Sequence, residues 1–494
     1  MSLRVARRRP ELAVLVVMLP FATVAGMAAT QLGTRYGITK LVWFLAAGLA
    51  AVFVLRSPRL SFPLLFVAVA FKFSTKKLLG LDVHTSQAVE LVIVLQLLAA
   101  MYARGLKPPT ALAVPLGVMA LGGLLGTVAG PDVGGSLLRL GTVLVPALLL
   151  ALAAAALLRA DRDLPGIVAA IAIALVGTGL LGFYQKAGGT IPGSTDYGQR
   201  IAGLFNHPND LGDFVAVCVL LLTGVATQVW RRFRAGPVLL LAPIAVGLPT
   251  LAFTQSRGAL MGLVVGLAVI VAFSLADRQL APLLVLMVLA AVVVTVVVMS
   301  IPAQQTQEFL TRVSNTQLSI TNNSEDFGRT AIYHVALQSI SQHPFTGIGP
   351  LAFGKVMENN ALAASFQGGA ITAHNIYLEG YLSVGPFGLA AFLWICGGAG
   401  RRLWRARASR LGPSRSLTSG WALGSMAALG CMLVHGMVDF VFWQVELLMF
   451  YFAILGMAYG LEARAAVPAD EPAVLGEPAW RGAPRAAASA SLGQ

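Results

Sequence analysis

The stretch Thr372-Ala373-His374-Asn375-Ile376-Tyr377 lies where a long polar interval, residues 301–375, gives way to an apolar run. Most of the remaining sequence consists of apolar runs. Many of these runs approach the 20 or so apolar residues that a helix needs to cross a bilayer. The stretch therefore predicts a bundle of membrane-spanning helices interrupted by one long loop. It also places His374 and Asn375 at the start of a helix.

The composition leads to the same class of protein. The chain has 494 residues, of which 57% are hydrophobic and 11% are charged, whereas soluble domains carry about 25% charged residues. Its apolar runs do not alternate with polar residues, so helices are predicted rather than barrel strands. We expect an all-α, polytopic integral membrane protein. The net charge of +14 is explained by basic residues in short loops, and no nucleic-acid partner is expected.

Fourteen spans are predicted, and twelve remain an alternative because the third run is short and contains Lys72. The predicted spans are 11–33, 37–55, 60–73, 86–103, 110–130, 136–158, 165–184, 209–229, 236–253, 258–276, 280–301, 376–400, 418–440 and 443–462. They divide the chain into N-terminal transmembrane helices (1–301), a periplasmic loop with an amphipathic helix (302–375), C-terminal transmembrane helices (376–462) and a disordered tail (463–494). Most basic residues fall on the side that holds both termini, which is therefore predicted to be cytoplasmic.

Two arginines precede helices that enter from the predicted outer side. Arg200 lies upstream of a helix that Asn206 or His207 can cap and that Pro208 suits in its first turn. Arg257 begins a helix with a stripe of glycines, which Thr254 or Ser256 can cap. A guanidinium beside a helix N-terminus favours an oxyanion or phosphate. Anchoring of Arg200 to lipid headgroups is the alternative.

The long loop adds further candidate residues. Ser324 is predicted to begin an amphipathic helix able to lie on the membrane face, in which Arg329 pairs with an acidic neighbour in the first turn. His374 precedes a third helix that enters from the same side, so its imidazole can accept a proton near a bound anion. His435 and Asp439 share a predicted helix face and are expected to form a structural hydrogen bond. No metal spacing is recognised.

Four motifs, in this order, resemble those of the O-antigen ligase and polymerase superfamily of bacterial envelope glycosyltransferases. The resemblance covers roughly residues 190–445. The motifs are Arg200 with Gly203-Leu204-Phe205 and His207-Pro208-Asn209-Asp210-Leu211-Gly212; Ser256-Arg257-Gly258; Arg329 with Pro344 and Gly347-Ile348-Gly349; and His374-Asn375-Ile376-Tyr377-Leu378 with Gly385 and Gly388.

The resemblance implies a multi-pass protein of the bacterial inner membrane with a glycosyltransferase C-like bundle and a periplasmic active site. It implies transfer of a glycan from an undecaprenyl-pyrophosphate carrier, with inversion and without metal or other cofactor. A ligase passes the glycan to lipid A–core in lipopolysaccharide biosynthesis. A polymerase of O-antigen or exopolysaccharide passes it to another carrier-linked repeat. A flippase or transporter of an anionic lipid-linked glycan is the alternative, and it would not require His374.

The resemblance also implies roles for individual residues. His374 is the expected catalytic base, and Arg200 and Arg257 are expected to bind the pyrophosphate. We expect accessory roles for Arg329, Asn375, His207 and Asn209.

Overall fold

The structure is a computed structural model. It describes residues 57–71, 76–78, 81–83, 85–158, 160–191, 194, 197–198, 200–229, 236–276, 291, 324–360, 372–408, 414–439 and 444–465.

Helices make up almost all of the described chain. They are α1 (Pro58–Ala70), α2 (Thr85–Arg104), α3 (Thr110–Ala129), α4 (Val133–Arg139), α5 (Val145–Leu157), α6 (Ala160–Lys186), α7 (Pro208–Val229), α8 (Gly236–Thr254), α9 (Arg257–Ala276), α10 (Ser324–Gln342), α11 (Phe353–Glu358), α12 (Ile376–Ala408), α13 (Ser414–His435) and α14 (Val445–Ala465). A π-helical turn, Leu140–Leu144, joins α4 to α5. Strands β1 (Lys76–Leu78) and β2 (Leu81–Val83) form an antiparallel hairpin between α1 and α2.

The membrane prediction is confirmed. Within the described residues, eight helices are long and apolar enough to cross a membrane, and α1 and parts of α8 and α14 are shorter apolar helices. These eleven apolar segments coincide with eleven of the predicted spans. The predicted spans 11–33, 37–55 and 280–301 lie outside the described residues, apart from position 291. So do most of the predicted tail and residues 302–323 of the predicted loop.

Helix α7 lies at the centre of the bundle. Of its most apolar 18-residue stretch, 94% is buried inside the protein, against 33% to 61% for the other long helices. It packs against α8, α9 and α13. The backbones of α7 and α13 approach so closely that a Cβ on Gly420 would lie 2.7 Å from the Cα of Val225. Helices in lipid use small residues for such close approach, because lipid is as apolar as the helix surface and close packing must drive association.

The glycine stripe of α9 is seated against α13, as its spacing predicts. A Cβ added at Gly262 would lie 2.7 Å from the Sγ of Cys431, and one at Gly266 would lie 2.9 Å from the carbonyl oxygen of Ala427. One turn earlier, the same stripe meets the end of α13. The contact therefore brings the beginning of α9 beside the last turn of α13.

Helix α12 is broken inside the bundle at Gly385 and Pro386. Gly385 has φ of 69°, a left-handed conformation that glycine adopts readily. Pro386 has no N–H to donate to the carbonyl of Leu382. That carbonyl instead accepts hydrogen bonds from the backbone N–H groups of Ile348 and Gly349, at 2.7 and 3.1 Å. The break therefore docks the loop turn that precedes α11 onto the membrane bundle.

A helix begins at Ser324, where the sequence predicts one in the loop. The sequence makes this helix able to lie on a membrane face, but the structure packs its apolar residues against protein. Its apolar residues Ile332 and Val335 are buried in a second, smaller core with Phe353 and Leu382. An apolar helix face needs only to be covered, and here the protein covers it.

Candidate functional site

The loop that carries Arg200 is fastened to the corner between α8 and α9. The Arg200 guanidinium donates through Nε to the carbonyl oxygen of Thr254, at 2.9 Å. The next residue, Ile201, donates its backbone N–H to the carbonyl of Phe253, at 3.2 Å. Gln185 accepts two backbone N–H groups of the following loop residues, at 2.9 and 3.1 Å. These bonds hold the guanidinium at one position on the face where the loops meet, which we call the site face.

Arg257 starts α9 at that same corner. Helix α8 ends at Thr254, and Gln255 reverses the chain with a left-handed φ of 53°. Ser256 then caps α9 by accepting the N–H of Ala259 on its Oγ, at 3.3 Å. The corner thus places the backbone of Arg257 beside the docked Arg200 loop.

His207 caps α7, which settles the open choice between Asn206 and His207. Its Nδ1 accepts the backbone N–H of Asn209, at 3.1 Å. Only a ring nitrogen without a proton can accept. Burial lowers the pKa of the His207 imidazole, and the Arg200 guanidinium and His374 lower it further, while Asp439 raises it. The net shift favours the neutral ring that the cap requires.

His374 lies on a strained corner just before α12. Its φ of 45° is left-handed, a conformation uncommon for residues other than glycine but several-fold enriched in His and Asn. Asn375 is the helix cap, since its Oδ1 accepts the N–H groups of Tyr377 and Leu378, at 2.9 and 3.1 Å. Its Nδ2 donates to the carbonyl of Met437, at 2.9 Å. Because Asn375 does the capping, the His374 side chain is available for another role.

Asp439 connects His374 to Arg200. Its Oδ1 lies 3.3 Å from Nδ1 of His374, and its Oδ2 accepts from Nδ2 of Asn209. The Oδ1 of Asn209 in turn accepts from the Arg200 guanidinium, at 2.6 Å. The Asp439 side chain is 10% exposed and that of His374 is 40% exposed. A continuous chain of hydrogen bonds therefore runs from the arginine to the imidazole.

The expected bond between His435 and Asp439 is not the main contact of His435. Nε2 of His435 lies 4.0 Å from Oδ2 of Asp439, too far for a hydrogen bond. Its Nδ1 pairs instead with Oδ1 of Asp213 on α7, at 2.7 Å, and the hydroxyl of Tyr451 donates to the other oxygen of Asp213. Helix α13 ends at His435, so Asp439 lies in the turn beyond it.

Two further side chains hold the His374 corner. Glu379, fully buried in the first turn of α12, accepts the N–H of Ala373, at 2.9 Å. An acid reaching back from the first turn of a helix is a recognisable signal. The hydroxyl of Tyr333 on α10 lies 3.4 Å from the carbonyl oxygen of His374. The loop helix therefore touches the corner directly.

The three helix N-termini that the sequence places on one face are each capped. His207 caps α7, Ser256 caps α9 and Asn375 caps α12. Each cap consumes one or two of the unpaired N–H groups with which a helix begins. An anion at this face would therefore rely on arginine side chains more than on bare backbone N–H groups.

The structure brings most of the predicted site residues together. Arg200, His207, Asn209 and His374 belong to one hydrogen-bonded or electrostatically coupled group around Asp439. Asn375 adjoins the group as the cap of α12. The backbone of Arg257 lies beside His435, because a Cβ added at the next residue, Gly258, would lie 2.8 Å from Nε2 of His435. The backbone of Arg329 lies one helical turn before Tyr333, and its side chain lies outside the described part.

A family model described as O-antigen ligase matches residues 242–393. The match covers less than half of the chain. It includes Arg257, Arg329, His374 and Asn375, whereas Arg200 and Asp439 lie outside it. The search of curated proteins gave no match. The family match confirms the resemblance to the O-antigen ligase and polymerase superfamily and indicates a ligase or polymerase type of function.

Proposed function

We propose that this protein of the O-antigen ligase and polymerase type moves a glycan from an undecaprenyl-pyrophosphate carrier to an acceptor sugar on the periplasmic face of the inner membrane. The observation that supports this proposal best is the hydrogen-bonded chain from Arg200 through Asn209 and Asp439 to His374. It joins a cation suited to a pyrophosphate with an imidazole suited to take up a proton. Carrier-linked donor and acceptor are therefore expected to meet at the site face.

The arginines hold and stabilise the leaving group. Pyrophosphate leaves with the electron pair of the broken bond between the sugar C1 and the phosphate oxygen, so negative charge develops there. Fixed positive groups lower the energy of such a transition state because they need no reorganisation. Arg200 is already fixed by its bonds to Thr254 and Asn209. Arg257 contributes a second charge from the start of α9.

His374 acts as the general base. With Nδ1–H directed at Asp439, Nε2 carries the lone pair and takes the proton of the acceptor hydroxyl as that oxygen attacks C1. Asp439 holds the ring in this tautomer and stabilises the imidazolium that forms. A single displacement of this kind inverts the configuration at C1, and its steps need no metal.

The proposal is tested by transfer and donor binding with purified protein in lipid vesicles. Arg200→Ala and Arg257→Ala should each bind the lipid-pyrophosphate donor more weakly and release less undecaprenyl pyrophosphate. Lys in place of either arginine should rescue only in part, because an ammonium lacks the planar fork of a guanidinium. Lys355→Ala is the matched control, because it removes an exposed cation that pairs with Glu358. Wild-type donor binding in both arginine variants would contradict the proposal that these arginines bind the pyrophosphate.

Envelope glycans from a deletion strain separate the two activities. Loss of all long chains from the lipid core, with carrier-linked polymer accumulating, identifies a ligase. A single repeat on the core, or loss of an exopolysaccharide, identifies a polymerase. Unchanged glycans would argue against both.

A further inference from the structure

A polar cavity of about 430 Å³ lies between the loop helices and the end of α3. Pockets that hold small ligands measure about 300–1,000 Å³. Its walls come from the second half of α10, the end of α11, the turn before α11 and the residues that follow α3. None of the site residues described above lines it, so it is a separate feature of the molecule.

Among the residues that the structure describes, the cavity wall is rich in amides and includes no carboxylate, Lys or Arg. Gln338, Gln342 and Asn359 present side chains that both donate and accept hydrogen bonds. Within the described part of the chain, those three amides make no hydrogen bond. The wall also contains apolar side chains, among them Val335 and Val356. The cavity thus offers neutral hydrogen-bonding groups beside an apolar surface.

We propose that this cavity binds neutral sugar residues of the glycan. A sugar ring presents hydroxyls that both donate and accept, together with apolar C–H faces, which is the combination that the wall matches. Within the described wall, a phosphate or a sugar acid would meet no Lys or Arg side chain. The inference rests on the proposed function, because it takes the glycan substrate as given.

The position of the cavity fits sugars beyond the one that reacts. Tyr333 of α10 touches the His374 corner, and Gln338 and Gln342 follow it on the same helix. At 1.5 Å per residue, they lie about 8–14 Å further along the helix axis. The reacting sugar must lie at His374, so the cavity suits later residues of the same chain, on either the donor or the acceptor.

One wall of the cavity is fixed in advance by packing. A Cβ on Gly130 would overlap the carbonyl oxygen of Ile348, so the turn and the end of α3 touch through backbone atoms. The N–H of Ile348 is held by Leu382, as described above. A cavity built on fixed backbone loses little freedom when it binds a ligand.

The test measures glycan binding without lipid or phosphate. The probe is the host's own envelope glycan, cut from its lipid by mild acid and purified free of phosphate. Calorimetry uses the full-length protein in lipid nanodiscs. Gln338→Leu with Gln342→Leu removes two neutral hydrogen-bonding groups, so affinity should fall by about tenfold or more. Asn359→Leu, which changes the residue directly after α11, should also weaken binding.

His334→Leu is the matched control, because His334 is an exposed residue of the same helix that does not line the cavity. It should bind the glycan as the wild type does. A wild-type protein that binds no glycan would overturn the proposal, and so would wild-type affinity in both cavity variants. Thermal unfolding of the variants at the wild-type temperature would show that they are folded.

The transfer assay separates this proposal from the proposed function. If the cavity holds the acceptor, the double variant should raise KM for the acceptor alone; if it holds the donor glycan, it should raise KM for donors with several repeats. Tight glycan binding at the cavity, together with a His374 variant that transfers normally, would support the glycan-binding cavity and contradict the proposed chemistry at His374. Normal transfer kinetics with unchanged glycan binding in the cavity variants would contradict the glycan-binding cavity and leave the proposed chemistry standing.

Discussion

Asp439→Asn should slow glycan transfer by roughly 10- to 100-fold and leave donor binding close to that of the wild type. The carboxylate accepts from His374 on one oxygen and from Asn209 on the other. The isosteric amide has one acceptor oxygen and one NH₂ group. If the oxygen faces His374, the NH₂ group faces the Nδ2 of Asn209, which is also a donor.

Asn209 can relieve this conflict only by turning its amide over. Its Oδ1 would then leave the Arg200 guanidinium, to which it is bonded at 2.6 Å. Either arrangement breaks the chain between Arg200 and His374. A hydrogen bond to a charged group contributes about 1.5–3 kcal/mol, and each 1.36 kcal/mol on the barrier is a factor of ten in rate. The expected loss in rate follows from one such bond.

Single-turnover transfer with purified donor measures this effect, and a donor-binding titration accompanies it. Glu358→Gln is the matched control because it neutralises an exposed carboxylate, which pairs with Lys355. The double variant Arg200→Ala with Asp439→Asn should lose less than the sum of the two single losses, because both act through one network. Wild-type transfer by Asp439→Asn would refute the positioning role of this carboxylate.

Three further predictions concern packing, pH and topology. Gly436→Ala should cost about 1–3 kcal/mol of stability and slow transfer, because the new Cβ would overlap Ile376 at the start of α12; unchanged thermal unfolding would contradict the packing. Because the pKa of His207 is lowered, its neutral ring and the α7 cap should persist at pH values below about 6.5, the ordinary pKa of histidine. The cap should be lost only in stronger acid. Donor binding that is already halved at pH 7 would contradict this prediction. In the proposed orientation, a cysteine at Ser341 should react with an impermeant maleimide in intact cells, and a cysteine at Arg401 should not. The native cysteines are buried and should add little background. Labelling at Arg401 would contradict the proposed orientation.

Much of the bundle follows from the order of apolar runs. Pro208 and Ser324 begin helices where the sequence predicts them, because a proline in the first turn and a capping residue are local signals. The glycine spacing of α9 predicts a close helix contact, although it cannot identify α13 as the partner. Local signals therefore fix where helices begin and which face packs tightly.

The interior of the site depends on contacts between distant residues. The spacing of His435 and Asp439 predicts a hydrogen bond between them. The two side chains lie 4.0 Å apart, and His435 bonds instead to Asp213 of α7. Asp439 instead meets Asn209, which is 230 residues away in the chain. No periodicity encodes such a contact. The loop helix shows the same limit, since apolar spacing cannot distinguish lipid from a protein surface.

The most direct test of the chemistry is the single-turnover transfer rate of His374→Asn. Asparagine tolerates the left-handed backbone of this position, as histidine does, so the corner should keep its shape. It cannot take up the proton of the acceptor hydroxyl. We predict a fall of about 10²–10⁴-fold in the transfer rate, with the lipid-pyrophosphate donor still bound through Arg200 and Arg257. Transfer at the wild-type rate would contradict the role of His374 as the base.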